Sequence, residues 1–200
     1  MATLVQQYFE RFGDKACCFE DLKPYLTMET ENLVKWTSFL EDVPTSLVSQ
    51  CVIDSVGHHM STLQTTTSEL CRLVNSFKIL RFSLLKSDMA AEMESARAKK
   101  YLKYYLKALP LGVNLPSTEL QPADDLALLA GNALVNLWTL THHDAHLLNA
   151  AYLLEFSLTK SKQSFLMRLM LIRIYRILGR VSILSLSLRI VTFPYQVPHL

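Results

Sequence analysis

Residues 144–179 read DAHLLNAAYLLEFSLTKSKQSFLMRLMLIRIYRILG, and this stretch predicts two apolar helices joined by a short polar turn. The first apolar pattern is interrupted by Thr159-Lys160-Ser161-Lys162, resumes at Phe165 and stops at Gly179. Both helices carry apolar residues on most of their sides, so each must be covered by neighbouring helices. The pair therefore indicates a fold in which helices stack on one another.

Helical periodicity continues through the rest of the chain up to position 179. Half of the 200 residues are apolar, while 5 glycines and 7 prolines leave few residues for tight turns, which favours helices over sheets. A helix-turn-helix unit of about 34 residues that buries its faces only by stacking is typical of tetratricopeptide solenoids. We therefore predict an all-α, tetratricopeptide-like helical-hairpin solenoid fragment over residues 1–179.

Two segments differ from this helical pattern. Residues 110–123 contain three prolines and a glycine, and form either a boundary between two sub-bundles or a long loop between repeats. Residues 180–200 include Ser185-Leu-Ser-Leu-Arg-Ile190, which alternates like a strand that has nothing to pair with. We predict that residues 180–200 form a divergent, poorly packed tail.

Local signals predict where several helices begin and end. The threonine run 65–67 is predicted to end one helix, with another following from Ser68. Asp124 or Asp125 is predicted to cap the helix after the 110–123 segment, and Asp144 the next one. In the helix that begins at Asp88, one stripe is predicted to be apolar: Ala91, Ala98, Leu102, Tyr105 and Leu109.

The cysteines and the N-terminus predict a cytoplasmic protein. Cys17, Cys18, Cys51 and Cys71 have no paired spacing, which fits reduced and mostly buried thiols. The first residues lack the basic and apolar regions of a signal peptide. The most apolar run, from Phe165 to Phe193, is interrupted by five arginines, so no membrane span is predicted.

The glycines exclude several enzyme classes. The five glycines form no G-x-G-x-x-G, no G-x-x-x-x-G-K-[ST], no G-x-S-x-G and no acetyl-coenzyme A loop. Such sites need glycine because the backbone must approach a ligand closely or turn sharply. The sequence therefore predicts no catalytic residue, no cofactor and no small-molecule substrate.

His142, His143, Asp144 and His146 form a cluster with the chemistry of metal ligands. His142 and His146 are four residues apart, a spacing that allows two histidines of one helix to hold a metal ion. The alternative is a polar helix start capped by Asp144, and we favour it; no metal site is therefore predicted.

Two groups of basic residues lie at helical spacing, namely Lys100, Lys103 and Lys107, and Arg173, Arg176 and Arg180. Residues 156–200 contain seven bases and no acid, whereas residues 1–55 have a balance of −5. Each group is a candidate contact for a partner protein or for RNA phosphates. The alternative is that these charges are simply solvated.

Three segments together resemble one known family. They are YFERFGDKACCFEDLKPYL at 8–26, DDLALLA at 124–130, and the stretch 153–161 running into LIRIYRILG at 171–179. This sequence resembles the auxiliary, non-catalytic subunit of the N-terminal acetyltransferase B complex over residues 4–179. The block from Gly13 to Phe19 is the most specific part of the resemblance.

The resemblance implies a helical superhelix that wraps a separate catalytic subunit and helps to place it at the ribosome. That catalytic subunit uses acetyl-coenzyme A on nascent chains that begin Met-Asp, Met-Glu, Met-Asn or Met-Gln. Our leading hypothesis is a solenoid fragment of this auxiliary subunit. The alternatives are a general helical-repeat adaptor that contacts ribosomal RNA or protein through its basic faces, and a helical metal enzyme built on the histidine cluster.

Overall fold

The computed structural model describes residues 2–26, 38–40, 61–83, 90–116 and 118–179, and the regular secondary structure in these ranges is helical. The chain divides into two compact units, Met1–Met89 and Ala90–Leu200. The segment 110–123, where a boundary was considered, lies within the second unit. The tail predicted at 180–200 lies outside the described residues.

The described residues of the first unit include helical residues at 38–40 and three α-helices with defined bounds. They are α1 (Ala2–Phe12), α2 (Cys18–Leu22), which continues into a 3₁₀ helix at Lys23–Tyr25, and α3 (Ser61–Ser83). Val5 and Phe9 are four residues apart, so they share one face of α1 and enter the core together. The core of this unit contains Val5, Phe9, Cys18, Leu22, Leu26, Leu40 and Ile79.

The Gly13–Phe19 block, the most specific part of the family resemblance, forms the turn between α1 and α2 and the start of α2. The Gly13 N–H donates to the Phe9 carbonyl oxygen at 2.7 Å, and a Cβ at Gly13 would lie 2.5 Å from that oxygen. Cys18 is fully buried, and burial raises the pKa of its thiol to about 12, whereas Cys17 is exposed. The expectation of mostly buried thiols thus holds for Cys18 and is wrong for Cys17; Cys51 lies outside the described residues.

Two polar side chains of α3 hold this turn in place. Arg72 donates from Nη1 to the carbonyl oxygens of Phe9 and Glu10, both at 3.2 Å, at the C-terminal end of α1. The buried Asn75 amide donates to the carbonyl oxygens of Gly13 and Lys15 at 2.9 and 2.8 Å. Helix ends leave carbonyl oxygens without partners inside the helix, and Arg72 and Asn75 supply donors to oxygens at the end of α1 and in the turn that follows it.

Replacing Asn75 with alanine is expected to lower the free energy of unfolding by about 1–3 kcal/mol, because two carbonyl oxygens lose their donor. Urea denaturation followed by circular dichroism measures the change. The exposed Gln7→Ala serves as the control and should change the same quantity by less than about 0.5 kcal/mol. Equal effects of the two variants would contradict this role of Asn75.

The predicted helix break at the threonine run is wrong. Helix α3 runs without interruption from Ser61 to Ser83 and includes residues 65–67. A threonine costs at most about 0.7 kcal/mol relative to alanine in a helix interior. Burial of Leu73, Val74 and Phe77 farther along α3 outweighs that cost.

The second unit is a run of helices in which each packs mainly on the one before it. They are α4 (Ala91–Ala108), followed by a 3₁₀ helix at Leu109–Gly112, α5 (Asp124–Thr141), α6 (Ala145–Lys160) and α7 (Phe165–Ile177). Helices α6 and α7 are the pair predicted from residues 144–179. The largest fully buried side chains here include Tyr105, Leu126, Leu147, Leu154, Met167, Leu171 and Ile174. The prediction of an all-α helical-hairpin solenoid fragment is confirmed.

The capping predictions for the aspartates are wrong. Asp144 occupies the N-cap position of α6, but its carboxylate does not bond to a helix amide and instead accepts from Trp138 Nε1 at 3.1 Å. Asp124 is the first residue of α5, after an N-cap at Ala123. Both carboxylates have found partners on neighbouring segments, which spacing along the chain does not reveal.

Candidate protein-interaction surface

Helix α4 buries Ala98 and Tyr105 of the predicted apolar stripe, but its buried face is turned away from Leu102. Its buried residues are Glu94, Ala98, Tyr101, Tyr105 and Ala108, which repeat at spacings of three and four. Leu102, predicted to lie on the apolar stripe, is 37% exposed. The buried Glu94 carboxylate accepts a hydrogen bond from Arg97 Nη1 at 2.8 Å, and this pairing allows an acid on the buried face.

The predicted contact residues are exposed and lie on two helices. Lys100, Lys103 and Lys107 are exposed on α4, and Arg173 and Arg176 are exposed on α7. Helices α5 and α6 lie between these two groups along the chain. Arg180 lies outside the described residues. A contact role for these residues stays a prediction.

Large apolar side chains are exposed on α6 and α7, and the sequence reading expected neighbours to cover them. Tyr152 is 65% exposed, Phe156 43% and Phe165 63%. Lys160 Nζ lies 5.6 Å from the Phe156 ring centroid, in a cation–π arrangement. The spacing of Tyr152, Phe156 and Lys160 by fours places them on one side of α6, and that spacing is the signal the sequence reading missed.

A shallow depression of about 470 Å³ lies where three helices meet. Its lining residues are Ala91, Glu92, Ser95, Ala96 and Lys99 of α4, Leu137 of α5 and His146 of α6. Leu137 is buried, so it forms the floor, whereas Lys99 and Glu92 are exposed at the rim. The depression combines small side chains with a few charged ones.

A buried polar cluster joins α4, α5 and α6. The Ser161 hydroxyl donates to the Asp124 carboxylate at 2.5 Å, and the Gln121 N–H donates to it at 3.3 Å. Burial raises the pKa of the Tyr105 hydroxyl, and the Ser157 side chain acts in the opposite direction. Burial raises the pKa of Asp124 above its usual 3.8, and the bonds from Ser161 and Gln121 act in the opposite direction.

Asp124 is expected to make the stability of the protein depend on pH. Because its pKa is higher in the folded chain than in the unfolded one, its contribution is most favourable below the unfolded pKa and is lost as pH rises through the folded pKa. Asp124→Asn does not titrate, so the free energy of unfolding of the wild type minus that of the variant should fall from about pH 4 upward. Urea denaturation across this pH range measures both free energies of unfolding. A difference between them that rises with pH would contradict this role of Asp124.

Comparison with known proteins decides the family. Residues 1–188 match the family described as N-acetyltransferase B complex (NatB) non catalytic subunit. The chain belongs to this family. A human protein named N-alpha-acetyltransferase 25, NatB auxiliary subunit, is 31% identical over 184 residues, which cover 88% of this chain.

Two further relatives match to a similar degree. The Aedes aegypti protein named Phagocyte signaling-impaired protein is 30% identical over 184 residues and 91% of this chain. The Arabidopsis thaliana NatB auxiliary subunit is 28% identical over 177 residues. The chain spans about 18% of the length of the human and Aedes aegypti proteins. The prediction of a non-catalytic auxiliary subunit is confirmed at the level of the family.

In this NatB-family chain the histidine cluster has local structural roles. His142 has a φ of 52° and closes α5, and the Ala145 N–H donates to His143 Nδ1 at 3.3 Å. The rings of His143 and His146 have centroids 5.6 Å apart. Within the described ranges, no three His, Cys, Asp or Glu residues are grouped to hold a metal, and no helix is long and apolar enough to cross a membrane.

Proposed function

We propose that this chain is a tetratricopeptide-like scaffold segment of the NatB auxiliary subunit. It holds the catalytic subunit by protein–protein contact and assists its association with the ribosome in the cytoplasm. The family match over residues 1–188 is the observation that carries this proposal. The absence of an acetyl-coenzyme A loop from the sequence is consistent with acetyl transfer being performed by another chain.

The surface of the second unit supports a binding role. Tyr152, Phe156 and Phe165 are large, exposed and carried by helices whose opposite faces are fully buried. Aromatic residues are enriched at protein interfaces, because they bury much area at a small cost in conformational entropy. Since the helices are already packed, binding orders few further groups.

The test is an acetylation assay with purified proteins. The full chain is added to the catalytic subunit with acetyl-coenzyme A and a peptide beginning Met-Asp or Met-Glu, and an unrelated helical-repeat protein is the control. We expect co-purification of the two chains and faster acetylation than with the catalytic subunit alone. Absence of both would contradict the proposal for this chain.

A second candidate function is RNA contact through α7. Residues 156–179 contain five bases and no acid, and Arg173 and Arg176 are exposed on the same side of α7. Clustered arginines neutralise phosphates and release counterions, so the affinity depends strongly on salt. This arrangement suits the backbone of ribosomal RNA and reads no base sequence.

Reversing both charges, in Arg173→Glu/Arg176→Glu, is expected to weaken binding to ribosomal RNA and to reduce the slope of log affinity against log salt by about 1.4–1.8, since each phosphate contact contributes about 0.7–0.9. Filter binding over a series of salt concentrations measures it. The comparison variant, Lys103→Glu/Lys107→Glu, makes the same charge change on α4. An unchanged slope in the α7 variant would exclude RNA contact by these arginines.

A further inference from the structure

We draw no further inference here: the strongest candidate, the exposed apolar surface of α6 and α7 that carries Tyr152, Phe156, Phe165, Leu166 and Ile177, has nothing in the structure to show what covers it.

Discussion

Replacing Phe9 with alanine is expected to lower the free energy of unfolding by about 3–5 kcal/mol. The Phe9 ring is fully buried, and the Arg72 guanidinium carbon lies 5.7 Å from its centroid. The Phe39 ring meets it edge-on, at a centroid distance of 6.0 Å. Removing the ring therefore leaves a cavity and also deprives Arg72 of the surface that positions it on the α1 carbonyl oxygens.

Urea denaturation followed by circular dichroism measures this loss. Leu4→Ala is the matched control on the same helix, because Leu4 is 70% exposed and should contribute less than about 0.5 kcal/mol. Domains are stable by only about 5–15 kcal/mol, so the Phe9 variant should be partly unfolded at moderate temperature. A loss below about 1 kcal/mol would contradict the core as described.

Leu154→Ala is expected to cost about 2–5 kcal/mol in the second unit. Leu154 is fully buried on α6, and one of its methyl carbons lies 3.6 Å from the point that a Cβ on Gly131 would occupy. Met170 of α7 approaches the same point at 3.1 Å. Leu154 thus fills the place where α5, α6 and α7 meet, and its loss weakens two helix contacts at once.

The same denaturation experiment tests Leu154→Ala, with Leu120→Ala as the control, because Leu120 is 61% exposed. Binding of the catalytic subunit should fall together with the folded fraction, since a scaffold of stacked helices binds only when its neighbours are packed. A Leu154 variant as stable as the control would show that the three helices do not share a core at this point.

The helices of the second unit were predictable because their signals are local. The apolar spacing in 144–179 and the break at Lys160–Ser161 mark α6 and α7 without any tertiary information. The resemblance to the acetyltransferase subunit family could also be found in the sequence, because its most specific part, the Gly13–Phe19 block, is one continuous stretch. In the structure this block contains the close backbone approach at Gly13 and the buried thiol of Cys18.

The errors arose where a hydrogen-bond partner decides the position of a charged side chain. Glu94 is buried on α4 with Arg97 as a hydrogen-bond partner, whereas the sequence analysis predicted an apolar stripe that does not include Glu94. Asp124 is hydrogen-bonded to Ser161, 37 residues away, and so is unavailable as the predicted cap. Spacing along the chain does not contain such contacts.

The candidate interaction surface was predictable only in part. The exposed lysines of α4 and arginines of α7 followed from helical spacing. The depression lined by Ala91 and His146 did not, because these residues belong to helices separated in sequence by the whole of α5. The sequence alone does not distinguish apolar residues that pack in the core from exposed ones such as Leu106 and Phe156.

Sedimentation velocity of the full chain mixed with the purified catalytic subunit tests the scaffold proposal most directly. The proposal predicts a single faster boundary that contains both chains. Two boundaries at the positions of the separate proteins, at concentrations where both are folded, would contradict the claim that this chain holds the catalytic subunit.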